Sequence, residues 1–163
     1  MQKYIYRENI IMPDTVVLPA YAPNEQTKMS AFTEIGRFTC PAGFVMGIGW
    51  GENRGQVEST GRAYMKLSNA AGDAFPEGIL RITAFDAAGI ARTEPIELDS
   101  SELNAATATR GEAWKVFENR QIYIQENSYF KFEFMSYESA PVTITKAQSV
   151  ITVDGNRTIA RAK

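Results

Sequence analysis

The strongest constraint in this chain is the run Tyr129-Phe130-Lys131-Phe132-Glu133-Phe134-Met135, where phenylalanine alternates with charge. Successive side chains of a strand point to opposite faces, so Phe130, Phe132 and Phe134 share one face and Lys131 and Glu133 the other. The run predicts a strand with one face in a core. Shorter runs of the same period, punctuated by Gly, Pro and Asn, lie at 31–39, 44–50, 62–67, 79–85, 95–98, 114–117, 121–125, 142–145 and 149–153. So many strands in 163 residues, with few helical patterns, predict one all-β domain, an antiparallel β-sandwich or barrel. Glu126-Asn127-Ser128 has the length of a hairpin turn between the runs at 121–125 and 129–135. Asp154-Gly155-Asn156 and Asp86-Ala87-Ala88-Gly89 also read as turns. Only Asp99-Ser100-Ser101-Glu102-Leu103-Asn104-Ala105-Ala106 looks helical, as a turn or two inside a loop between sheets.

Residues 1–30 depart from this pattern. Pro13, Pro19 and Pro23 break the alternation, yet Ile10, Ile11, Met12, Val16, Val17 and Leu18 are apolar and need cover. The segment reads as an extended N-terminal arm (1–30) ahead of the sandwich domain (31–163). Its apolar residues can dock on their own domain as an edge strand, or on a neighbouring subunit by strand addition. These six residues are the candidate assembly contacts.

The residue types missing from the chain narrow the chemistry. There is no histidine, which removes imidazole-ligated zinc and the Ser-His-Asp and Cys-His nucleophile pairs. The one cysteine, Cys40, allows no disulfide within the chain and has no histidine to hold it as thiolate; it reads as an inert core thiol. Paired carboxylates remain the only acid–base option for a hydrolase, but no two glutamates stand out as converging. Gly47-x-Gly49 is followed by Glu52 where a dinucleotide loop needs its third glycine, so the glycines read as strand bulges. The acidic turns at Asp86 and Asp154 lack the dense oxygen ligands of a calcium loop. No catalytic residue, cofactor or metal is assigned, and the expected class is not an enzyme.

Seventeen basic against 19 acidic side chains give a net charge of −2, without the basic field that nucleic acid or anionic membrane attracts. Arg157, Arg161 and Lys163 make the C-terminal tail locally basic, which reads as a frayed, solvated end and gives no clear nucleic-acid site. The triplet Asn156-Arg157-Thr158 matches a glycosylation sequon. No stretch is apolar enough for a transmembrane span. MQKYIYRENI lacks the uninterrupted apolar core of a signal peptide, so a soluble, non-exported chain is expected. The aromatic residues read as core and interface groups, with a stacking platform for sugars near Trp50, Trp114 or Asp86 as the alternative.

Three features carry a family resemblance. The segment 1–30 leads into Phe32-Thr33-Glu34-Ile35-Gly36-Arg37-Phe38. Ala63-Tyr64-Met65-Lys66-Leu67 and Ile79-Leu80-Arg81-Ile82-Thr83-Ala84-Phe85 are joined by the loop 72–78. A closing series follows at 122–137, 142–145 and 149–153. In this arrangement the chain resembles the single jelly-roll capsid proteins of tailless icosahedral viruses. The resemblance implies an eight-stranded jelly roll of two four-stranded sheets, a structural virion protein assembled in the host cytoplasm. Its implied partners are copies of itself and other capsid proteins. The chain departs from such proteins in lacking a strongly basic genome-binding arm, which suits an outer-shell or decorating role. A carbohydrate- or receptor-binding β-sandwich module is the alternative function.

Overall fold

The computed structural model describes residues 3–22, 32–49, 62–72, 77–92, 94–99, 115–116 and 121–159, and among these residues lie twelve strands, all paired antiparallel. The first six are β1 (Lys3–Asn9), β2 (Thr15–Leu18), β3 (Thr33–Thr39), β4 (Phe44–Gly49), β5 (Arg62–Lys66) and β6 (Gly78–Phe85). The others are β7 (Ile96–Asp99), β8 (Lys115–Val116), β9 (Gln121–Ile124), β10 (Tyr129–Ser136), β11 (Val142–Thr145) and β12 (Val150–Ile159). A 3-10 turn at Lys146–Gln148 is the only helical element among the described residues, and no helix there is long and apolar enough to cross a membrane. Of the turn or two of helix predicted at 99–106, Asp99 is instead the last residue of β7, and 100–106 lie outside the described residues, as do Trp50 and Trp114.

β12 is the spine of a six-stranded sheet. β1 runs along one edge of it, from Lys3↔Thr158 to Asn9↔Thr152. Along the other edge β5 takes Val150–Asp154 and β4 takes Asn156–Ile159, so these two strands lie end to end. β8 and β9 lie outside β5 and β4 in the same tandem way. A four-stranded sheet has the order β3-β10-β6-β7, and β2 pairs with β11 in a third, two-stranded sheet.

The alternation in β10 sets the core. Phe130, Phe132 and Phe134 are fully buried beside Leu80, Ile82 and Ala84 of β6. They belong to one hydrophobic cluster with Met46, Ile124 and Ile151 of the six-stranded sheet and Val16, Leu18 and Ile144 of the two-stranded one. Burying each large side chain stabilises the fold by about 1.5–3 kcal/mol.

Two turn expectations are corrected. Asp154-Gly155-Asn156 is not a turn: β12 runs straight through it, paired with Arg7, Tyr6 and Ile5 of β1. Gly155 falls where β5 ends and β4 begins, so a locally turn-like triplet is held extended by a partner distant in sequence. The same strand carries the chain to Ile159, so Arg157 belongs to a ladder and not to a frayed tail. Glu126-Asn127-Ser128 is a turn, but not of a hairpin, because β9 belongs to the six-stranded sheet and β10 to the four-stranded one. The link between β3 and β4 crosses between the same sheets. The two crossings are bonded together: Cys40 N–H donates to Ser128 O and Asn127 N–H to Cys40 O, both at 2.9 Å. Gly43 N–H donates to Glu126 Oε2 at 2.9 Å. Asn127, at φ 63°, supplies the left-handed step that this corner needs.

The described part of the N-terminal segment, residues 3–22, is tied to all three sheets of its own chain. After β1, Ile10 N–H donates to Ile151 O at 2.9 Å. Ile11 then exchanges two backbone bonds with Arg37 on the outer edge of β3, and β2 follows against β11. Residues 23–31 lie outside the described part.

Candidate functional site

The six candidate assembly residues fall into two groups. Ile10, Met12, Val16 and Leu18 are buried in the shared core, while Ile11 is 74% and Val17 58% exposed. The strand period explains β2: Val16 and Leu18 face inward and Val17 outward. Ile11 stands over an open groove of about 560 Å³ lined by Met12, Pro13, Glu34, Gly36, Arg37 and Thr39.

The prolines around β2 limit its open edge. Lys146 N–H donates to Asp14 O at 2.9 Å, which makes 14/146, 16/144 and 18/142 the hydrogen-bonded pairs of this ladder. Thr15 and Val17 therefore turn their backbone polar groups to the outer edge. Pro13 and Pro19 occupy the next positions of the same alternation, where a missing N–H costs no ladder bond. An edge two residues long between prolines is a poor template for a foreign strand.

The outer face of the four-stranded sheet carries a denser constellation, with Tyr129, Lys131, Glu133 and Met135 of β10 at its centre. Their cross-strand partners are Phe85, Thr83, Arg81 and Ile79 on β6, and Thr39, Arg37 and Glu34 on β3. Glu97 of β7 faces Arg81. Each cation here holds a carboxylate and a ring. Arg37 ion-pairs with Glu34 through Nε, with a second contact from Nη2 to Oε2 at 3.3 Å, and lies 4.5 Å over Tyr129. Lys131 is 3.7 Å from Glu133 and 4.7 Å over Phe85. Arg81 bonds Glu97 at 3.0 Å and lies 3.6 Å over Phe32. Phe85 and Tyr129 stack 5.3 Å apart, 7° from parallel. Arg37 is held above its usual pKa, chiefly by its bond to Glu34.

A bulge creates this cluster. Glu34 and Arg37 are three residues apart, which puts them on opposite faces of a regular strand. The register against β10 slips between Phe132 and Glu133, leaving Ile35 as the extra residue. Ile35 is buried, and Glu34 swings to the same side as Arg37. One signal was available in sequence, the alternation of Lys131 and Glu133; the Arg37 and Glu34 partners depend on the bulge.

Other candidates are occupied locally. The Cys40 thiol is buried and donates to Phe44 O at 3.2 Å; burial pushes its pKa up to about 11. Asp86 Oδ1 accepts from the N–H groups of Ala88 and Ile90, both at 2.9 Å, and Oδ2 pairs with Arg92 at 2.6 Å. Those bonds hold its carboxyl below the usual range, Ile90 first. Among the described residues no three His, Cys, Asp or Glu side chains are grouped to hold a metal ion. Tyr21 and Tyr137, both exposed, meet edge to face at 5.5 Å. Compared with known protein families and with curated proteins, the chain matches none.

Proposed function

We propose that this chain is a structural virion subunit, a capsid or capsid-decorating protein built on a jelly roll, that associates with copies of itself and other shell proteins. The observation that carries this reading is strand order. With β4–β5 and β8–β9 each counted as one interrupted strand, one layer reads β1, β12, β4–β5, β9–β8 and the other β3, β10, β6, β7. Along the chain these strands alternate between layers except at β6 and β7, which are neighbours in one. This order supports reading the fold as the double Greek key of a jelly roll, a fold used by capsid subunits, lectins and cupins.

Fold alone does not choose among these uses. A lectin platform needs open ring faces, whereas on the outer face of the four-stranded sheet Phe32, Phe85 and Tyr129 already carry the chain's own cations. Assembly needs apolar side chains left outside a finished core, and Ile11 and Val17 are such groups. The place of action that goes with this reading is the virion, assembled in the host cytoplasm.

The test is the mass of the purified protein in solution, with electron microscopy of any particles. Deleting 1–30 would remove β1, β2 and four core side chains, so Ile11→Ser with Val17→Ser is the cleaner variant. Large oligomers that the double variant weakens support the reading. A monomer under all conditions, alone and with shell proteins, overturns it.

A further inference from the structure

We propose that the outer face of the four-stranded sheet docks on the same face of a second copy, about a two-fold axis lying in the face and running across the strands. This docking mode rests on the assembly reading above and names one contact through which copies would meet.

The register places like charges side by side. Arg37 is directly opposite Lys131, and Glu34 directly opposite Glu133. Like charges opposite one another weaken a strand pair, by about 0.2–1 kcal/mol by the general scale. Here they form two bands across the strands, one positive and one negative, about 7 Å apart along the strand direction. A two-fold axis between the bands lays each positive band over its partner's negative one. Arg37 then meets Glu34 of the partner subunit, and Lys131 meets Glu133 of the partner subunit.

The remaining rows also match. Arg81, in the negative row, falls over Thr83 of the partner subunit and so avoids a cation. The stacked pair Tyr129 and Phe85 falls over Met135 and Ile79 of the partner subunit, apolar against apolar, with sulfur near a ring. The cations lie down over their own rings, which flattens the face: the Lys131 and Glu133 side chains are only 23% and 16% exposed. Two sheets pack face to face when their strand directions lie within about 30° of each other, as this two-fold places them. Isologous contacts of this kind require a self-complementary patch, and this face is one.

Sedimentation of the full-length chain tests the face, using an all-acidic variant (Arg37→Glu with Lys131→Glu) and an all-basic one (Glu34→Lys with Glu133→Lys). Each alone should self-associate roughly a hundredfold more weakly than the wild type, because like bands now meet. An equimolar mixture should recover the association. Circular dichroism establishes that the variants fold. Should either fail to fold, the wild type still answers: its association should weaken by about tenfold or more between roughly 0.05 and 0.5 M salt. Salt-independent association, or variants that associate as the wild type does, overturns the face while leaving the assembly reading standing. A wild type that stays monomeric on its own also overturns the face; the assembly reading falls with it only if the chain stays monomeric in the presence of other shell proteins too.

Discussion

Gly36 lies directly beneath Ile11: a β-carbon on it would stand 2.6 Å from the Ile11 carbonyl oxygen and 2.7 Å from Ile10 Cδ1. That absence of a side chain lets the N-terminal segment cross from β12 to the edge of β3 and bond to Arg37 on both sides. The nearest atom is backbone, so it cannot turn aside as a side chain would. Gly36→Ala is expected to destabilise the protein by about 1–3 kcal/mol, read by urea unfolding. Amide exchange at Ile11 and Arg37 should speed up as well. Gly43→Ala is the control: it has open space but a φ of 84°, so only its backbone strain of about 1 kcal/mol should appear.

The split among the six N-terminal apolar residues gives a second prediction. Leu18→Ala opens a cavity in the core and should cost about 2–5 kcal/mol. Ile11→Ser and Val17→Ser remove side chains that solvent already reaches, and each should stay within about 0.5 kcal/mol of the wild type. Thermal unfolding of the three variants decides the matter. An Ile11→Ser protein as unstable as Leu18→Ala would place Ile11 in the folding core and remove it from any contact surface.

Particular residues show how far the sequence could be read. β10 was legible because one of its faces is buried, as Phe130, Phe132 and Phe134 are, and a half-buried strand must alternate. Gly155 was not, because whether Asp-Gly-Asn turns or runs straight depends on β1, which begins about 150 residues earlier. Asn127 was half legible: its turn was, but not the change of sheet, which hangs on two bonds to Cys40. The charged face was the least legible part. It needs the bulge at Ile35, and a one-residue slip moves every later side chain to the other face.

Asp86 organises the turn after β6, and its carboxylate works only when ionised. Its folded pKa is depressed, so the stability it adds is present above the unfolded value of about 3.9 and is lost as pH falls through the folded value. Acid titration should therefore loosen the Ala88 and Ile90 amides, seen as faster exchange and shifted NMR signals, before the core unfolds. Asp86→Asn should weaken the pairing with Arg92 at neutral pH and abolish this acid step. Persistence of the step in that variant would assign it to another carboxylate.

Cys40 shifts the other way. Burial disfavours its thiolate, raising the folded value to about 11 from an ordinary 9.0. A raised thiol keeps its proton in the folded state after the unfolded chain has lost it. The associated stability is thus complete below about pH 9 and declines as pH rises from there to about 11. Cys40→Ala should flatten this alkaline decline, at the cost of the bond to Phe44 O and some core packing. The same burial predicts that iodoacetamide at pH 8 labels the native thiol far more slowly than the thiol of urea-unfolded chain, since attack needs both thiolate and access. Equal labelling rates in the two states would mean that the corner between β3 and β4 opens readily, and would contradict the bonds from Cys40 to Asn127 and Ser128 that hold it shut.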